Sequence, residues 1–452
     1  MSEVCPSHDP TPMLAETEGA PKVESRTTLR VVKSQTRPRR LLLCLDGVPF
    51  DVVTQARARG LFDNFREPTR LLSPFPTLTN VALAQMLGAT PPNGYESLYF
   101  DREARELRGG VRKYIGWRTP DKIPSSYMDE LDYQEPLAFE FLIYVATDAV
   151  WHADMRRFRE RFRSTPPTRD FFGFLKATDG LLHIGGPERL TVALRSLDRL
   201  LRDIQAECGS ETEMVLFSDH GMNLEENRRV HLLTHLKRSG YEVVSHMRRP
   251  RGRRRVSAPG FGLCGYAALY CGEETDRAEL SESLRQLEGV DFSVSRDESD
   301  GAAVVVAGAR GVARIRREER GGETFYSYEQ RDGDPLGLSD VVRALGDEGL
   351  ADARGFVRDA AWLARTFRHE YPDAPANLYE SIYSPRVRHT ADVLISLSDG
   401  YYYGADVFSR MVRLLATHGN ALRASSTAFL MSTHRDFPTH VRSTEARPFL
   451  RD

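Results

Sequence analysis

Apolar runs that end in a polar turn recur along the chain. The first, RRLLLCLDG at 39–47, places five consecutive apolar residues before an Asp-Gly turn. Similar runs are FEFLIYVATD at 139–148, FFGFLKATD at 171–179, EMVLFSDHG at 213–221 and TADVLISLSDG at 390–400. Strands that are buried on both faces have this continuous apolar pattern. The runs therefore predict strands of a parallel sheet.

Amphipathic segments with helical periodicity lie between these runs, for example ERLTVALRSLDRLLRDIQ at 188–205. The alternation predicts an α/β fold, with a mostly parallel sheet flanked by helices. From 246 to 345 the pattern changes to short alternating strands with Gly-rich turns, which indicates a small β-rich insertion. Residues 1–38 lack apolar periodicity and indicate a disordered lead. The α/β core would then comprise 39–245 as its first part and 346–452 as its second part.

Composition and charge narrow the class of protein. The 452 residues are 40% hydrophobic, enough for a large core, and the formal net charge is only −2. No overall charge favours a nucleic-acid or membrane partner. No stretch approaches the roughly 18 apolar residues of a membrane span, and the first residues lack the apolar centre of a signal peptide. Five cysteines without a CxxC pair suit a reducing compartment. These features predict a cytoplasmic protein.

Side chains that can bind metal follow several of the predicted strands. Asp46 ends the first run, and Asp219 with His220 ends the EMVLFSDHG run. His418 lies far downstream in a Thr-His-Gly turn. Ligands bind at the carboxyl ends of strands in open α/β sheets. This mixture of carboxylates and imidazoles predicts a site for two divalent ions, Zn²⁺ in the first place and Mn²⁺ as the alternative.

Two nearly identical stretches compete for a place in that site. Asp179 and His183 lie in KATDGLLHIGGP, whereas Asp148 and His152 lie in VATDAVWHAD. Both offer a carboxylate and an imidazole four residues apart. Only the first is followed by glycines, which allow the backbone to approach a ligand closely. We therefore expect Asp179 and His183 to bind metal, and Asp148 to cap the helix that follows its strand.

The order of LCLDGV, FPTLTN, TDGLLHIGGP, SDHGM and THG resembles the alkaline phosphatase superfamily, and within it the nucleotide pyrophosphatase/phosphodiesterase branch. The resemblance covers about 39–245 and about 346–435. It implies an alkaline-phosphatase-like fold and two metal sites. The ligands implied for the first site are Asp46, Thr79, Asp219 and His220. The ligands implied for the second are Asp179, His183 and His418.

The resemblance also implies a Ser or Thr nucleophile at the start of a helix. FPTLTN offers Thr77 and Thr79, and Thr79 matches the second Thr of the family pattern. A hydroxyl there lies beside free backbone N–H groups that can hold a phosphoryl oxygen. Asn80 could add another donor. The segment after Thr79 departs from the usual Pro-Asn run of the family and is one residue short.

The predicted function is hydrolysis of a small-molecule phosphoester, with a phosphothreonine intermediate on Thr79. The absence of an evident Arg clamp favours diesters. The alternatives are a phosphomonoesterase, a phosphomutase, a sulfatase, or a degenerate protein that only binds metal. A sulfatase is less favoured because the sequence lacks the Cys/Ser-x-Pro-x-Arg pattern. The basic run at 247–256 is interpreted as a solvated loop. The sequence does not specify the oligomeric state.

Overall fold

The computed structural model describes residues 39–110, 123, 125–136, 139–143, 146–247, 254–405 and 413–451. The predicted lead, 1–38, and most of the basic run, 248–253, lie outside them. Within the described residues the strands are β1 (Arg40–Leu45), β2 (Thr69–Leu72), β3 (Leu98–Asp101), β4 (Glu106–Gly109), β5 (Tyr133–Gln134), β6 (Phe171–Leu175), β7 (Glu213–Ser218), β8 (Arg228–Arg229), β9 (Glu242–Val243), β10 (Arg255–Ser257), β11 (Leu263–Cys264), β12 (Tyr266–Cys271), β13 (Val290–Arg296), β14 (Ala303–Gly308), β15 (Gly311–Arg320), β16 (Glu323–Gly333), β17 (Phe356–Arg358), β18 (Val393–Leu397), β19 (Tyr401–Gly404), β20 (Thr427–Ser432) and β21 (His440–Arg442).

Helices alternate with many of these strands. The α-helices of the described residues are α1 (Phe50–Ala58), α2 (Thr79–Leu87), α3 (Phe139–Leu142), α4 (Thr147–Ser164), α5 (Ala177–Cys208), α6 (Leu232–Arg238), α7 (Arg277–Leu284), α8 (Ser339–Asp347), α9 (Asp359–Thr366), α10 (Ala374–Tyr383), α11 (Arg423–Ser426) and α12 (Arg447–Arg451). Short 3₁₀ helices span Tyr127–Glu130 and Ser443–Glu445. The long α5 is kinked at Gly186, which has a positive φ and precedes Pro187.

The first sheet has seven strands in the order β21-β2-β20-β7-β1-β6-β5. Strands β7, β1, β6 and β5 run parallel to one another, and β21 runs parallel to β2. Only β20 runs antiparallel to its neighbours. The α/β fold class and the mostly parallel sheet predicted from the apolar runs are therefore confirmed.

Both faces of this sheet are covered by helices. On one face, Leu41 and Leu43 of β1 pack in a core that includes Val53 of α1 and Phe158 of α4. On the other face, Leu42 packs in a core with residues of α2 and α12. Burial on both faces explains why the strand sequences are continuously apolar rather than alternating.

The second sheet has nine strands, in the order β17-β16-β15-β14-β13-β18-β12-β10-β9. It is antiparallel except where β10 and β9 pair. Most of its strands come from the β-rich segment 246–345, and others come from the segments on either side. The division of the chain at 245 and 345 stays a prediction. No described helix is both long enough and apolar enough to cross a membrane.

Two of the five apolar runs differ from their predicted positions. The strand predicted at 139–148 is wrong, because described residues of this run belong to α3 and α4. Ile143 is buried and Phe139 packs beside the same core, so the apolar residues lie four apart on a helix face. The run at 390–400 does form a strand, β18, but it lies between β12 and β13 in the antiparallel sheet.

Candidate metal centre

Three neighbouring strands of the first sheet end at the same level. In the register of the sheet, Leu45 at the end of β1 lies beside Leu175 of β6 and Ser218 of β7. Asp46 and Asp219 follow directly, and Asp179 lies in the first turn of α5, just after β6. Parallel strands that stop in register thus bring three carboxylates to one edge of the sheet.

The first group of possible ligands consists of Asp46, Asp219 and His220, all of them buried. The Nε2 atom of His220 lies 3.5 Å from Oδ1 of Asp46 and 3.4 Å from Oδ2 of Asp219. The Thr79 hydroxyl lies 3.2 Å from Asp46 Oδ1 and 3.2 Å from His220 Nε2. The start of α2 therefore places the Thr79 hydroxyl against this group.

The second group consists of Asp179, His183 and His418. Asp179 and His183 are one helical turn apart on α5, which puts both side chains on one face. Oδ1 of Asp179 lies 3.1 Å from Nε2 of His183 and 3.6 Å from Nε2 of His418. The rings of His418 and His220 stack with their centroids 4.0 Å apart, so the two groups adjoin.

All three histidines are held through the same ring nitrogen. Nδ1 of His183 lies 2.7 Å from the carbonyl oxygen of Ala416, and Nδ1 of His220 lies 2.9 Å from that of Gly221. Nδ1 of His418 lies 2.8 Å from the carbonyl oxygen of Thr77. A carbonyl only accepts, so each Nδ1 carries a proton. In the neutral imidazole, Nε2 then presents a lone pair to the carboxylates, as a metal ligand does.

The carboxylate oxygens that face these nitrogens lack donors. Asp179 Oδ1 and Asp219 Oδ2 are buried and accept no hydrogen bond. Unpaired buried anionic oxygens are costly. A lone pair on Nε2 cannot satisfy them, whereas a cation between nitrogen and oxygen satisfies both. The donor set therefore fits divalent metal ions.

Burial shifts the acid–base equilibria of the groups around the site. It raises the pKa of Asp46 well above its usual range, and the nearby Asp219 carboxylate raises it further. It raises the pKa of Asp219 to about 6. Burial also lowers the pKa of His220 to about 4 and that of His418 to about 3. For His183 the effect of burial is outweighed by the neighbouring Asp179 carboxylate, which raises the pKa of that imidazole. The two imidazoles with lowered pKa values, His220 and His418, are neutral beside crowded carboxylates, a combination in which a bound cation relieves repulsion.

Thr79 is the first residue of α2, and Leu78 at the N-cap provides no side-chain cap. The free N–H groups of this helix end therefore lie beside the Thr79 hydroxyl. The next residue, Asn80, accepts a 2.7 Å hydrogen bond at Oδ1 from the Tyr127 hydroxyl. A hydroxyl and an amide are thus adjacent at a helix N-terminus that can receive an anion.

Thr77 has a different environment. Its hydroxyl donates to the Asn420 carbonyl at 3.1 Å and accepts from the Gly419 amide at 2.8 Å. Its own carbonyl accepts from His418, as described above. Thr77 is fully buried and secures the turn that carries His418.

The competing pair, Asp148 and His152, lies on α4 with both residues exposed. Neither belongs to the groups of possible metal ligands among the described residues. Asp148 is in the first turn of α4 rather than at its N-cap, which is Ala146, so the predicted cap is wrong. The structure thus brings Asp179 and His183 to the strand ends, whereas Asp148 and His152 belong to neither group of possible ligands.

Several supporting residues were not singled out in the sequence. Thr178 donates to the Asp46 carbonyl at 2.7 Å, and Ser218 donates to the His220 carbonyl at 2.8 Å. The Ser73 hydroxyl donates to the Asp219 carbonyl. Thr178 and Ser218 directly precede an aspartate at the end of an apolar run, a signal that could have identified them. Ser73 carries no such signal.

Hydrogen bonds around β11 hold the loop that carries His418. The Thr417 hydroxyl donates to the Leu263 carbonyl at 2.6 Å, and the Gly265 amide donates to the His418 carbonyl at 2.6 Å. The Glu96 carboxylate accepts from the Gly262 amide at 2.5 Å, just before β11. The loop with His418 is therefore fastened to β11, which pairs with β19 in a separate three-stranded sheet, and to the residue that follows it.

Comparisons with known proteins give distant structural similarity. No protein-family model and no curated protein sequence matches the chain. The phosphonoacetate hydrolase of Sinorhizobium meliloti 1021, solved with phosphonoformate, is similar over 92% of this chain and 95% of its own, with 12% identity and a TM-score of 0.49. Human ectonucleotide pyrophosphatase/phosphodiesterase 5 is similar over 91% of this chain and 93% of its own, with 12% identity and a TM-score of 0.47. Likeness at this level does not assign a function, which has to be inferred from the side chains of the site.

Gly221, next to His220, gives a structural test of the site. A Cβ atom at Gly221 would lie 2.1 Å from the Ala424 carbonyl oxygen and 2.7 Å from that of Thr427. Since both are backbone atoms, we expect Gly221→Ala to lower the free energy of unfolding by about 1–3 kcal/mol in urea titrations. Gly301→Ala is the control, because a Cβ atom there meets nothing within 4 Å. Equal stability of the two variants would contradict the close packing behind His220.

Proposed function

We propose that this chain is a metal-dependent phosphoester hydrolase that uses Thr79 as its nucleophile. The observation that carries the proposal is the position of the Thr79 hydroxyl. It lies at an uncapped helix N-terminus, 3.2 Å from atoms of Asp46 and His220, beside two groups of possible metal ligands. This arrangement combines a nucleophile, cation ligands and anion-binding N–H groups.

Two divalent ions would occupy the site. Asp46, Thr79, Asp219 and His220 would hold one ion, and a second would be held by Asp179, His183 and His418. Nitrogen and carboxylate ligands in this mixture suit Zn²⁺, with Mn²⁺ as the alternative. Bound there, the ions would supply Lewis-acid stabilisation of the attacking and leaving oxygens.

Thr79 would form the covalent intermediate. Its hydroxyl gives up its proton as the oxygen bonds to phosphorus, the bond from phosphorus to the ester oxygen breaks, and the leaving group takes up one proton and departs as an alcohol or phosphate. Water then attacks the phosphothreonine, which releases the phosphoryl product and regenerates the hydroxyl. The N–H groups at the start of α2 and the Asn80 side chain would hold the phosphoryl oxygens.

The surroundings of Thr79 favour diesters. Among the described residues, the side chains that hydrogen-bond to Thr79 and Asn80 are Asp46, His220 and Tyr127. Lys176 acts on the Asp46 carboxylate through its charge, but no described Lys or Arg hydrogen-bonds to Thr79 or Asn80. A monoester carries one more negative charge and calls for an additional positive group. Monoester hydrolysis, phosphomutase and sulfatase activities, and metal binding without catalysis, are the alternatives that a substrate panel separates.

The first prediction concerns activity and metal removal. A panel of chromogenic phosphomonoesters, phosphodiesters, phosphonates and sulfates, each assayed with Zn²⁺ and Mn²⁺, should give the highest kcat/KM for a phosphodiester. EDTA should abolish the activity because the substrate oxygens lose their Lewis acids. Full activity in metal-free protein, or no hydrolysis of any ester by metal-loaded protein, would contradict the proposal.

The second prediction uses the two similar stretches as matched variants. Asp179→Ala or His183→Ala should reduce the metal content from about two ions per chain to about one, measured by mass spectrometry of the metals, since each removes a ligand of the second ion. Asp148→Ala and His152→Ala should leave the content unchanged because both side chains are exposed on α4. The reverse result would move the second ion to α4.

The third prediction concerns the nucleophile. Thr79→Ala should fold and retain metal but lose at least about 10³-fold in kcat, because covalent catalysis is removed. Thr79→Ser should keep a measurable part of the rate. Acid quenching followed by peptide mass spectrometry should locate the phosphate on Thr79. Phosphate on Thr77, or unchanged turnover of Thr79→Ala, would refute the assignment.

A further inference from the structure

The Asn80 side chain has one hydrogen-bond partner among the described residues. Its Oδ1 atom accepts from the Tyr127 hydroxyl at 2.7 Å. No described residue is hydrogen-bonded to its Nδ2 atom, and the residue is partly exposed at the start of α2. The carbonyl end of the amide is therefore engaged, while the NH₂ end remains available to a ligand.

The orientation of this amide determines whether it can bind an anion. An asparagine presents an acceptor oxygen at one end and two N–H donors at the other, and a half-turn of the group exchanges them. A phosphoryl oxygen is attracted to the N–H donors and repelled by the carbonyl oxygen. A neighbouring donor that holds Oδ1 selects the favourable orientation before the substrate binds, which is electrostatic preorganisation.

We propose that Tyr127 is a positioning residue that fixes the Asn80 carboxamide with its NH₂ group toward the phosphoryl oxygens of the substrate. This inference rests on the proposed function, in which the phosphoryl group is transferred to Thr79. The Tyr127 hydroxyl does not contact the substrate in this arrangement. It acts through Asn80, which directly follows the nucleophile in the chain.

Tyr127 is itself held firmly. The residue is 6% exposed and packs in a core with residues of β1 and α2. The 3₁₀ helix that carries it begins with a capping box between Ser126 and Asp129. The Thr90 amide donates to the Ser125 carbonyl at 3.0 Å, which ties the segment to the chain just after α2. The hydroxyl therefore has a fixed position relative to Asn80.

The alternative explanation of the hydrogen bond between Tyr127 and Asn80 is that it only fastens Tyr127 to α2 and stabilises the fold. The two explanations differ in what the hydroxyl should affect. If the hydrogen bond only fastens Tyr127 to α2, its loss should lower the free energy of unfolding. If the hydroxyl positions Asn80, its loss should lower the affinity for a phosphoryl-like anion, and only while Asn80 is present.

The test compares Tyr127→Phe, Asn80→Ala and the double variant, all loaded with Zn²⁺. Tyr127→Phe keeps the buried ring and should lower kcat/KM for the best ester about three- to tenfold, the effect of one neutral hydrogen bond. The dissociation constant of orthovanadate, measured by titration calorimetry, should rise by a similar factor. Metal content and thermal midpoint should stay close to wild type. In the Asn80→Ala background, Tyr127→Phe should have no further effect on either measurement.

Tyr328→Phe is the matched control. It also removes a tyrosine hydroxyl that hydrogen-bonds to a side chain, here the Asp334 carboxylate at 2.6 Å from a strand of the second sheet, and it should leave orthovanadate affinity unchanged. Asn80→Asp is a second variant that does not disturb Tyr127. It should weaken orthovanadate binding more than Asn80→Ala, because a carboxylate oxygen then replaces the NH₂ group.

The outcomes separate this inference from the proposed function. Wild-type affinity in Tyr127→Phe, or effects of Tyr127→Phe and Asn80→Ala that simply add, would overturn the positioning role while ester hydrolysis stands. An Asn80→Asp variant that binds orthovanadate as well as Asn80→Ala would also overturn it. A wild-type protein that neither hydrolyses esters nor binds orthovanadate would instead reject the proposed function.

Discussion

The in-register ends of three parallel strands are the constraint on which the candidate site depends. Because β7, β1 and β6 stop side by side, Asp219, Asp46 and Asp179 arrive at one edge of the sheet. Their proximity follows from backbone pairing rather than from side-chain attraction, since carboxylates repel one another. The apolar cores on both faces of the sheet stabilise the strands and so maintain that proximity.

The electrostatics of the site follow from this backbone constraint. Buried carboxylates close together are unfavourable unless a cation accompanies them. Three histidines with Nδ1 bonded to carbonyl groups present Nε2 to the same space. The protein thus concentrates oxygen and nitrogen lone pairs in one buried volume, and α2 adds a hydroxyl and free N–H groups at its margin. This is the physical basis of the proposed metal-dependent chemistry.

Sequence patterns anticipated the parts of this arrangement that depend on neighbouring residues. An apolar run followed by Asp predicts a strand end with a carboxylate, as at Asp46 and Asp219. The same rule misassigned 139–148, since a short apolar run also fits a helix face. It could not tell which sheet β18 would join, because the run does not encode its partners. Contacts such as Tyr127 with Asn80 join positions 47 residues apart and have no local signal.

Anomalous X-ray diffraction at the zinc absorption edge, from crystals of Zn²⁺-loaded protein, tests the central claim most directly. The account predicts two strong peaks per chain, one within coordination distance of Asp46, Asp219 and His220, and one within that distance of Asp179, His183 and His418. The Thr79 oxygen should lie beside the first peak. Peaks only at surface residues, or no peak at the ends of β1, β6 and β7, would contradict the account.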